Sequence, residues 1–289
     1  MHNLEQEFIT NIKGQALSTN IHREKLTRPS FNSNVDEADM RIWLHCMHST
    51  GDKILIFSPD TDVYHIGLTQ MNMMPGRHII VQLSKSLSVS AKLLDLNSLV
   101  LALERDPDLS TVEVGNRPQA LQTLYICTGC DYTSFFVGLG KCNFLTTYFK
   151  YASFISSGSH PHPSGSIGCI SLDHNDHSLY SFLRLVGCAY FRLHASVFEH
   201  TSPVSLFNSM DSDADPAEKH SKFLTEIRNG VWLRADSEAQ NLPTMEALQF
   251  HWYRCLWVLG LWHSSTENEI ELPGKEYHSM ISVNYLTFL

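Results

Sequence analysis

Residues 36–62 read DEADMRIWLHCMHSTGDKILIFSPDTD, and this stretch decides the fold class. From Glu37 to Ser49 the apolar residues Ala38, Ile42 and Cys46, and likewise Trp43 and Met47, recur four apart, the spacing of an amphipathic helix. Gly51 is the expected stop. Lys53-Ile54-Leu55-Ile56-Phe57-Ser58 is then a short, nearly continuous apolar run bounded by turn residues, the pattern of a strand buried on both faces of a parallel sheet. A helix feeding directly into such a strand predicts α/β architecture.

Outward from that pair, Arg77 to Leu83 reads as a strand, Asn97 to Arg105 as a short helix, and Arg117 to Thr128 as a helix running into a Gly-Cys-Asp-Tyr turn. Phe144 to Phe154 continues as another helix. Upstream, residues 1–35 are polar and weakly periodic, an extension with at most one short helix. Ser156 to Gly168 is dense in Ser, Gly, Pro and His and opens a linker taken as 156–176. Residues 177–289 are expected to be mainly helical, with a core helix from Ser178 to Arg192, an acidic loop from Asp211 to Pro216, and a Trp-rich helix from Met245 to Trp262. The α/β core is thereby placed at 36–155.

With 43% hydrophobic residues in 289, the chain can bury a sizeable core. No apolar run approaches the roughly 20 residues that cross a bilayer, so no membrane partner is expected. Met1 to Gly14 carries Glu5 and Glu7 and lacks the apolar centre of a secretory signal, which predicts an intracellular protein, nuclear if it acts on DNA. The net charge of −9 is the wrong sign for coating nucleic acid non-specifically, so such a role needs a local basic contact. Seven cysteines without regular spacing fit reduced thiols. Cys127-x-x-Cys130 has no second pair at zinc-ribbon distance and reads as structural.

Three acidic groups stand out by position. Glu37-Ala38-Asp39 opens the first helix, where both carboxylates can lean over the positive helix end. Asp60-Thr61-Asp62 follows the apolar strand, at the end of an α/β sheet that faces the ligand crevice. Two carboxylates there could share a hard divalent cation, since Mg²⁺ prefers oxygen and is held by few protein carboxylates plus waters. Asp131 lies in the turn Thr128-Gly129-Cys130-Asp131-Tyr132.

In this order the three groups, followed by Ser134 and Gly138-Leu139-Gly140-Lys141, resemble the flap-endonuclease and XPG-like nuclease family, whose domain is PIN-like. The resemblance covers roughly residues 36 to 151. It implies an incomplete PIN-like parallel sheet with flanking helices, followed by the mainly helical C-terminal region, and a structure-specific nuclease that hydrolyses nucleic-acid phosphodiesters, DNA above all. It further implies Mg²⁺ or Mn²⁺ in a two-metal site, with Glu37, Asp39, Asp60, Asp62 and Asp131 as the catalytic metal ligands. Gly138, Gly140 and Lys141 then fall on a helix-hairpin-helix-like turn whose backbone N–H groups cradle a phosphate. The family commonly places a further residue, often Pro, between the second Gly and the Lys. Residues 1–35 contain no apolar strand ending in Asp, so the frame is expected to lack its first strand and two of the family's ligands, the aspartate that strand delivers and a further acidic residue after it. The stretch 178–289 resembles the tails of proteins derived from mobile elements.

A plainer reading stands beside each motif. Asn34 with Glu37 makes a variant capping box, Pro59-Asp60 a routine turn start, and Asp62 or Asp131 a cap for whatever follows. His160, His162, His174 and His177 read as solvent-exposed histidines, and Asp211, Asp213 and Asp215 as an acidic stretch before a helix at Pro216. The aromatic series Phe250, Trp252, Tyr253, Trp257 and Trp262 reads as core or as a face for a protein partner. The alternative to a nuclease is therefore a non-catalytic interaction or nucleic-acid-binding module on a nuclease-derived frame.

Overall fold

The computed structural model describes residues 8–12, 15–19, 25–35, 37–84, 92–110, 112–156, 176–210, 214–234 and 237–270. Three short antiparallel strands come first, β1 (Phe8–Ile12), β2 (Gln15–Thr19) and β3 (Lys25–Thr27), with Phe8 opposite Thr19 and Leu17 opposite Thr27. The stretch expected to be an extension with at most one short helix thus holds a sheet. Strands of three to five residues are too short for their alternation to stand out in a polar stretch, although Ile9, Thr10, Ile12 and Thr19 are β-branched and favour this conformation.

Helix α1 (Ala38–His48) forms where its periodicity predicts it and buries Met40, Trp43, Leu44 and Cys46 on one face. It leads through Gly51 into β4 (Lys53–Phe57), and α2 (Thr61–Gln70) crosses over to β5 (His78–Gln82), which pairs with β4 in parallel, Ile54 opposite Ile79. A third strand, β6 (Leu93–Asp95), joins antiparallel to β5, giving a mixed sheet of order β4-β5-β6. His78 Nε2 meets Asp95 at 3.0 Å across that last pair, and the bond to His78 holds the Asp95 carboxyl down at about 2. The architecture is α/β, dominated by helix. Among the described residues β1–β3 pair only with one another and add no strand to β4.

The expectation that β4 is buried on both faces is corrected. The face of β4 carrying Leu55 and Phe57 stays open, these residues being 61% and 54% exposed, whereas Ile56 on the other face is buried; among the described residues β4 is also an edge strand. An apolar run shows that a strand suits a sheet; how many neighbours it has depends on the rest of the topology.

The helices α1 and α2 meet through the Trp43 side chain. The indole is fully buried, and its Nε1–H donates to the carbonyl of Val63 at 2.9 Å. It lies so close to Gly67 of α2 that a Cβ there would sit 2.1 Å from the ring. At the other end of α1, the Arg77 guanidinium donates to the carbonyls of Cys46 and Met47, satisfying groups the helix leaves open. Asn34 does not build the expected capping box. Its side chain exchanges two bonds with Ile270, donating to the carbonyl at 3.0 Å and accepting from the N–H at 2.9 Å.

Helix α3 (Leu96–Arg105) follows β6, then α4 (Arg117–Cys127), α5 (Lys141–Ile155), α6 (Asp176–Leu193), α7 (Pro203–Asn208), α8 (Pro216–Trp232) and α9 (Met245–His263). Contacts group the chain into two units, one of the described residues up to Leu101 together with 260–270, the other of those from Ala102 to Leu259. The division falls within α3 and α9, and not at the expected linker, of which residues 157–175 lie outside the described residues. Gln70 shows why the chain's late residues belong to the first unit, since its amide donates to the carbonyls of Trp262 and His263 at 3.1 and 3.0 Å. In the second unit α6 is the central helix, buried almost throughout, with Phe182 stacked on Trp252 at 5.2 Å. No helix among the described residues is long and apolar enough to cross a membrane.

The fit of Trp43 over Gly67 gives a paired test. Gly67→Ala is expected to lower stability by about 1–3 kcal/mol, because the buried ring must shift. Gly260→Ala, where the new methyl meets nothing within 4 Å, should raise stability by up to about 1 kcal/mol through helix propensity alone. Denaturant unfolding followed by tryptophan fluorescence measures both, and equal effects of the two substitutions would refute the packing constraint.

Candidate functional site

The C-terminal end of β4 hands the chain to α2 through Ser58-Pro59-Asp60. The Ser58 N–H still bonds to the Gln82 carbonyl at 3.2 Å, and its hydroxyl accepts from the Asp60 N–H at 3.2 Å, which fixes the turn. Asp60 is the N-cap of α2, with Oδ1 accepting from the Asp62 N–H at 3.0 Å. Asp62, in the first turn, is buried at 6% exposure. Its charge adds to burial in pushing the neighbouring Tyr64 hydroxyl above its ordinary pKa.

Glu37 and Asp39 occupy the equivalent place on α1. Glu37 is the N-cap residue, though its side chain makes no capping bond, and Asp39 is half-buried in the first turn. Both acidic pairs thus sit at helix N-termini, the pole of the helix dipole that attracts negative charge. Asp36 lies outside the described residues.

Asp131 belongs to the second unit. It is exposed in a tight turn closed by reciprocal backbone bonds of 3.2 Å between Cys130 and Thr133, and it caps no helix. Gly129 enters that turn at φ +113°, and a Cβ on it would lie 2.4 Å from the Phe135 ring, so glycine is required on both counts. The Thr133 hydroxyl donates to the Ile126 carbonyl at 2.8 Å, tying the turn to the end of α4. Among the described residues no group of three or more His, Cys, Asp or Glu side chains is placed to hold a metal ion.

Cys127 and Cys130 are buried free thiols, in line with the structural reading of their motif. Cys255 of α9 is the companion that spacing did not show. Burial, and then the adjacent Cys127 sulfur, push the Cys255 thiol well above its ordinary value. A buried, protonated thiol is a poor nucleophile.

The glycine turn is open where the sequence places it. Gly138 has φ +80°, Gly140 is the N-cap of α5, and added side chains at either would meet nothing within 4 Å. Phe135 and Val137 on the same loop are 66% and 49% exposed. Lys141 points elsewhere. Its Nζ donates to the Tyr125 carbonyl at 3.1 Å and to the Gly129 carbonyl, and lies 3.3 Å from the centre of the Tyr125 ring. The cation therefore closes the C-terminal end of α4, as the charge at that pole of a helix favours.

Of the aromatic series on α9, Trp252 and Trp262 are buried at 1% exposure and Trp257 packs edge-on against Tyr132 at 5.8 Å between centres. The helix is core, and its two buried tryptophans offer nothing to a protein partner. His251, on the same helix, is stacked on Phe182 and bonded through Nε2 to the Cys127 carbonyl at 2.9 Å. That acceptor requires the Nε2–H tautomer, and burial pushes the imidazole down to about 4 against the effect of this bond. His220 of α8 is likewise pushed down to about 4 by burial, with Nδ1 at 2.6 Å from the Pro216 carbonyl. The remaining sequence candidates, His160, His162, His174, Asp211 and Asp213, lie outside the described residues, as does the His177 side chain, while Asp215 caps α8.

No protein-family model, curated protein or solved structure matches this chain.

Two outcomes follow. His251 and His220 are neutral when folded and take up protons near pH 6.5 when unfolded, so the unfolded state binds more protons below that pH. Stability should therefore hold above about pH 6.5 and fall by up to about 1.4 kcal/mol per pH unit per histidine between there and pH 4. Urea unfolding between pH 7.5 and 4.5 measures the slope, and a flat profile would contradict the buried neutral imidazoles. Lys141→Ala should cost about 1.5–3 kcal/mol by leaving the Tyr125 and Gly129 carbonyls without their charged donor. Thermal denaturation would show no change if Lys141 served only an external ligand.

Proposed function

We propose that the chain is a divalent-metal-dependent, structure-specific nuclease-like protein acting on nucleic-acid phosphodiesters, with Asp60 and Asp62 as the centre of its site. The observation that carries this reading is their position, at the C-terminal end of a parallel strand and in the first turn of the helix that follows. Ligand crevices of α/β sheets lie at that end. The residues present fit Mg²⁺ in a limited sense, since it is commonly bound through one or two carboxylates plus water and substrate phosphate, without a full protein cage. Asp60 commits only Oδ1 to its cap, and buried Asp62 sits beside it on the same helical turn. When bound, such a metal would lower the pKa of a water and stabilise the leaving oxygen.

The chain's own residues do the positioning. The Asp60 cap and the Ser58 hydroxyl hold the loop in one conformation. Glu37 and Asp39 at the start of α1 are the further acidic pair of the same unit. The open turn at Gly138 and Gly140, with the first N–H groups of α5, supplies a place for a phosphate, while the Lys141 ammonium is held on the Tyr125 and Gly129 carbonyls at the end of α4. DNA is the nucleic acid this reading favours.

The test is cleavage of flapped and branched DNA with Mg²⁺ or Mn²⁺. Metal-dependent cutting is expected to fall at least a hundredfold in Asp60→Asn with Asp62→Asn. Cutting that is absent under all metals, or indifferent to that double substitution, overturns the proposal in favour of a non-catalytic interaction module, for which the exposed edge of β4 is the favouring observation.

A further inference from the structure

The loop between α4 and α5 carries an inference that rests on the nucleic-acid reading but not on the carboxylates. Its side chains divide into an inner and an outer set. Phe136 and Leu139 are buried, and the Phe136 ring packs against Phe144, Tyr190 and His251 at 5.3, 6.3 and 5.1 Å between centres. The Leu139 N–H closes a turn on the Phe136 carbonyl at 3.1 Å. Phe135 and Val137 form the outer set, at 66% and 49% exposure. The inner pair thus anchors the loop while the outer pair stands in solvent.

The Phe135 ring is propped from within the fold. It lies so close to Gly129 that a Cβ there would sit 2.4 Å from it, and the Lys141 Nζ, held on the Tyr125 and Gly129 carbonyls, is 5.6 Å from its centre. A ring fixed in this way gives up little conformational freedom when a ligand meets its open surface. Beyond Val137 the chain turns at Gly138, φ +80°, and neither Gly138 nor Gly140 has a neighbour within 4 Å of an added Cβ. Helix α5 then opens at Lys141 with N–H groups that have no upstream carbonyl inside the helix.

We propose that Phe135 is a stacking platform for an unpaired nucleobase, flanked by Val137, so that the nucleic acid this protein takes presents a single-stranded segment. The base lies on the open surface of the ring and its backbone follows the glycine turn. Every base has a π face, so the contact selects unpaired nucleotides without reading their sequence. A base inside a duplex is covered on both faces by its neighbours and must leave the stack to use the ring. A protein partner fits less well, because two side chains beside a glycine turn fall far short of the roughly 800 Å² that each partner of a stable interface buries.

The probe is a DNA duplex with a fluorescent unpaired tail, titrated against the full chain by anisotropy in EDTA, where no metal-dependent cutting intervenes. Its control carries an abasic tail, which keeps the phosphates and removes the bases. The tail with bases is expected to bind about five- to a hundredfold more tightly than the abasic one. That difference should persist as salt rises, because stacking is not screened as phosphate contacts are. Phe135→Ala should abolish it and Phe135→Tyr should retain it, both checked for folding by circular dichroism. A 2-aminopurine in the tail should be quenched by the unaltered chain and by Phe135→Tyr, and not by Phe135→Ala. Asp60→Asn with Asp62→Asn should leave all of this intact, so the platform and the cleavage reading can fail separately. Equal affinity for the two tails, a difference that survives Phe135→Ala, or no saturable binding overturns the proposal. Sedimentation equilibrium showing a dimer that Phe135→Ala dissociates would give the ring to a second copy instead.

Discussion

The first unit depends on one contact, the Trp43 indole pressed over Gly67 with its N–H on the Val63 carbonyl. A buried indole needs a partner for its polar atom, and a helix carbonyl in the first turn of α2 provides it. The same contact brings the axes of α1 and α2 closer than any side chain at position 67 would allow. Because α1 precedes β4 and α2 follows it, this contact fixes both ends of the strand at once. The two acidic pairs inherit their places from it, since Glu37 and Asp39 open α1 while Asp60 and Asp62 open α2.

Charge in this protein is organised by helix ends more than by its total. Acidic residues collect at the N-termini of α1, α2 and α8, and cations close C-termini, Arg77 below α1 and Lys141 below α4. Arg117 does the same for α3, donating to the carbonyls of Leu103 and Glu104 at 2.8 and 2.6 Å. Each pairing satisfies backbone groups that a helix leaves without partners and places charge where the dipole favours it. An acidic residue that caps a helix and one that awaits a cation occupy the same address, which is why Asp60 supports both readings of its motif.

The elements legible in the sequence are those with long, unbroken periodicity. Helices α1, α4, α6 and α9 and strands β4 and β5 fall within a few residues of their expected spans, because spacing reports which face of a segment is apolar. What spacing does not report is the neighbour. Leu55 and Phe57 look like core residues in a short, nearly continuous apolar run, and only the packing on the two faces of the sheet makes them surface. Lys141 looked like a phosphate contact because a lysine after a glycine turn has the right charge, but the nearest acceptors were carbonyls of its own chain. Strands β1 to β3 and β6, at three to five residues, are too short for their alternation to stand out. Of the candidate site, the positions of Asp60 and Asp62 at a strand end were legible, while the burial of Asp62 and the thiol group around Cys255 required the tertiary packing.

The strand β4 joins these observations, because its end and its edge are separate resources. Its C-terminal end delivers two carboxylates into a capped turn, where their geometry is set by Ser58 and by the first turn of α2. Its outer edge offers backbone groups and two apolar side chains that nothing among the described residues covers. A sheet of three strands with an apolar edge is at the lower limit of what usually stands alone, and natural proteins seldom leave such an edge without charge, proline or a covering element.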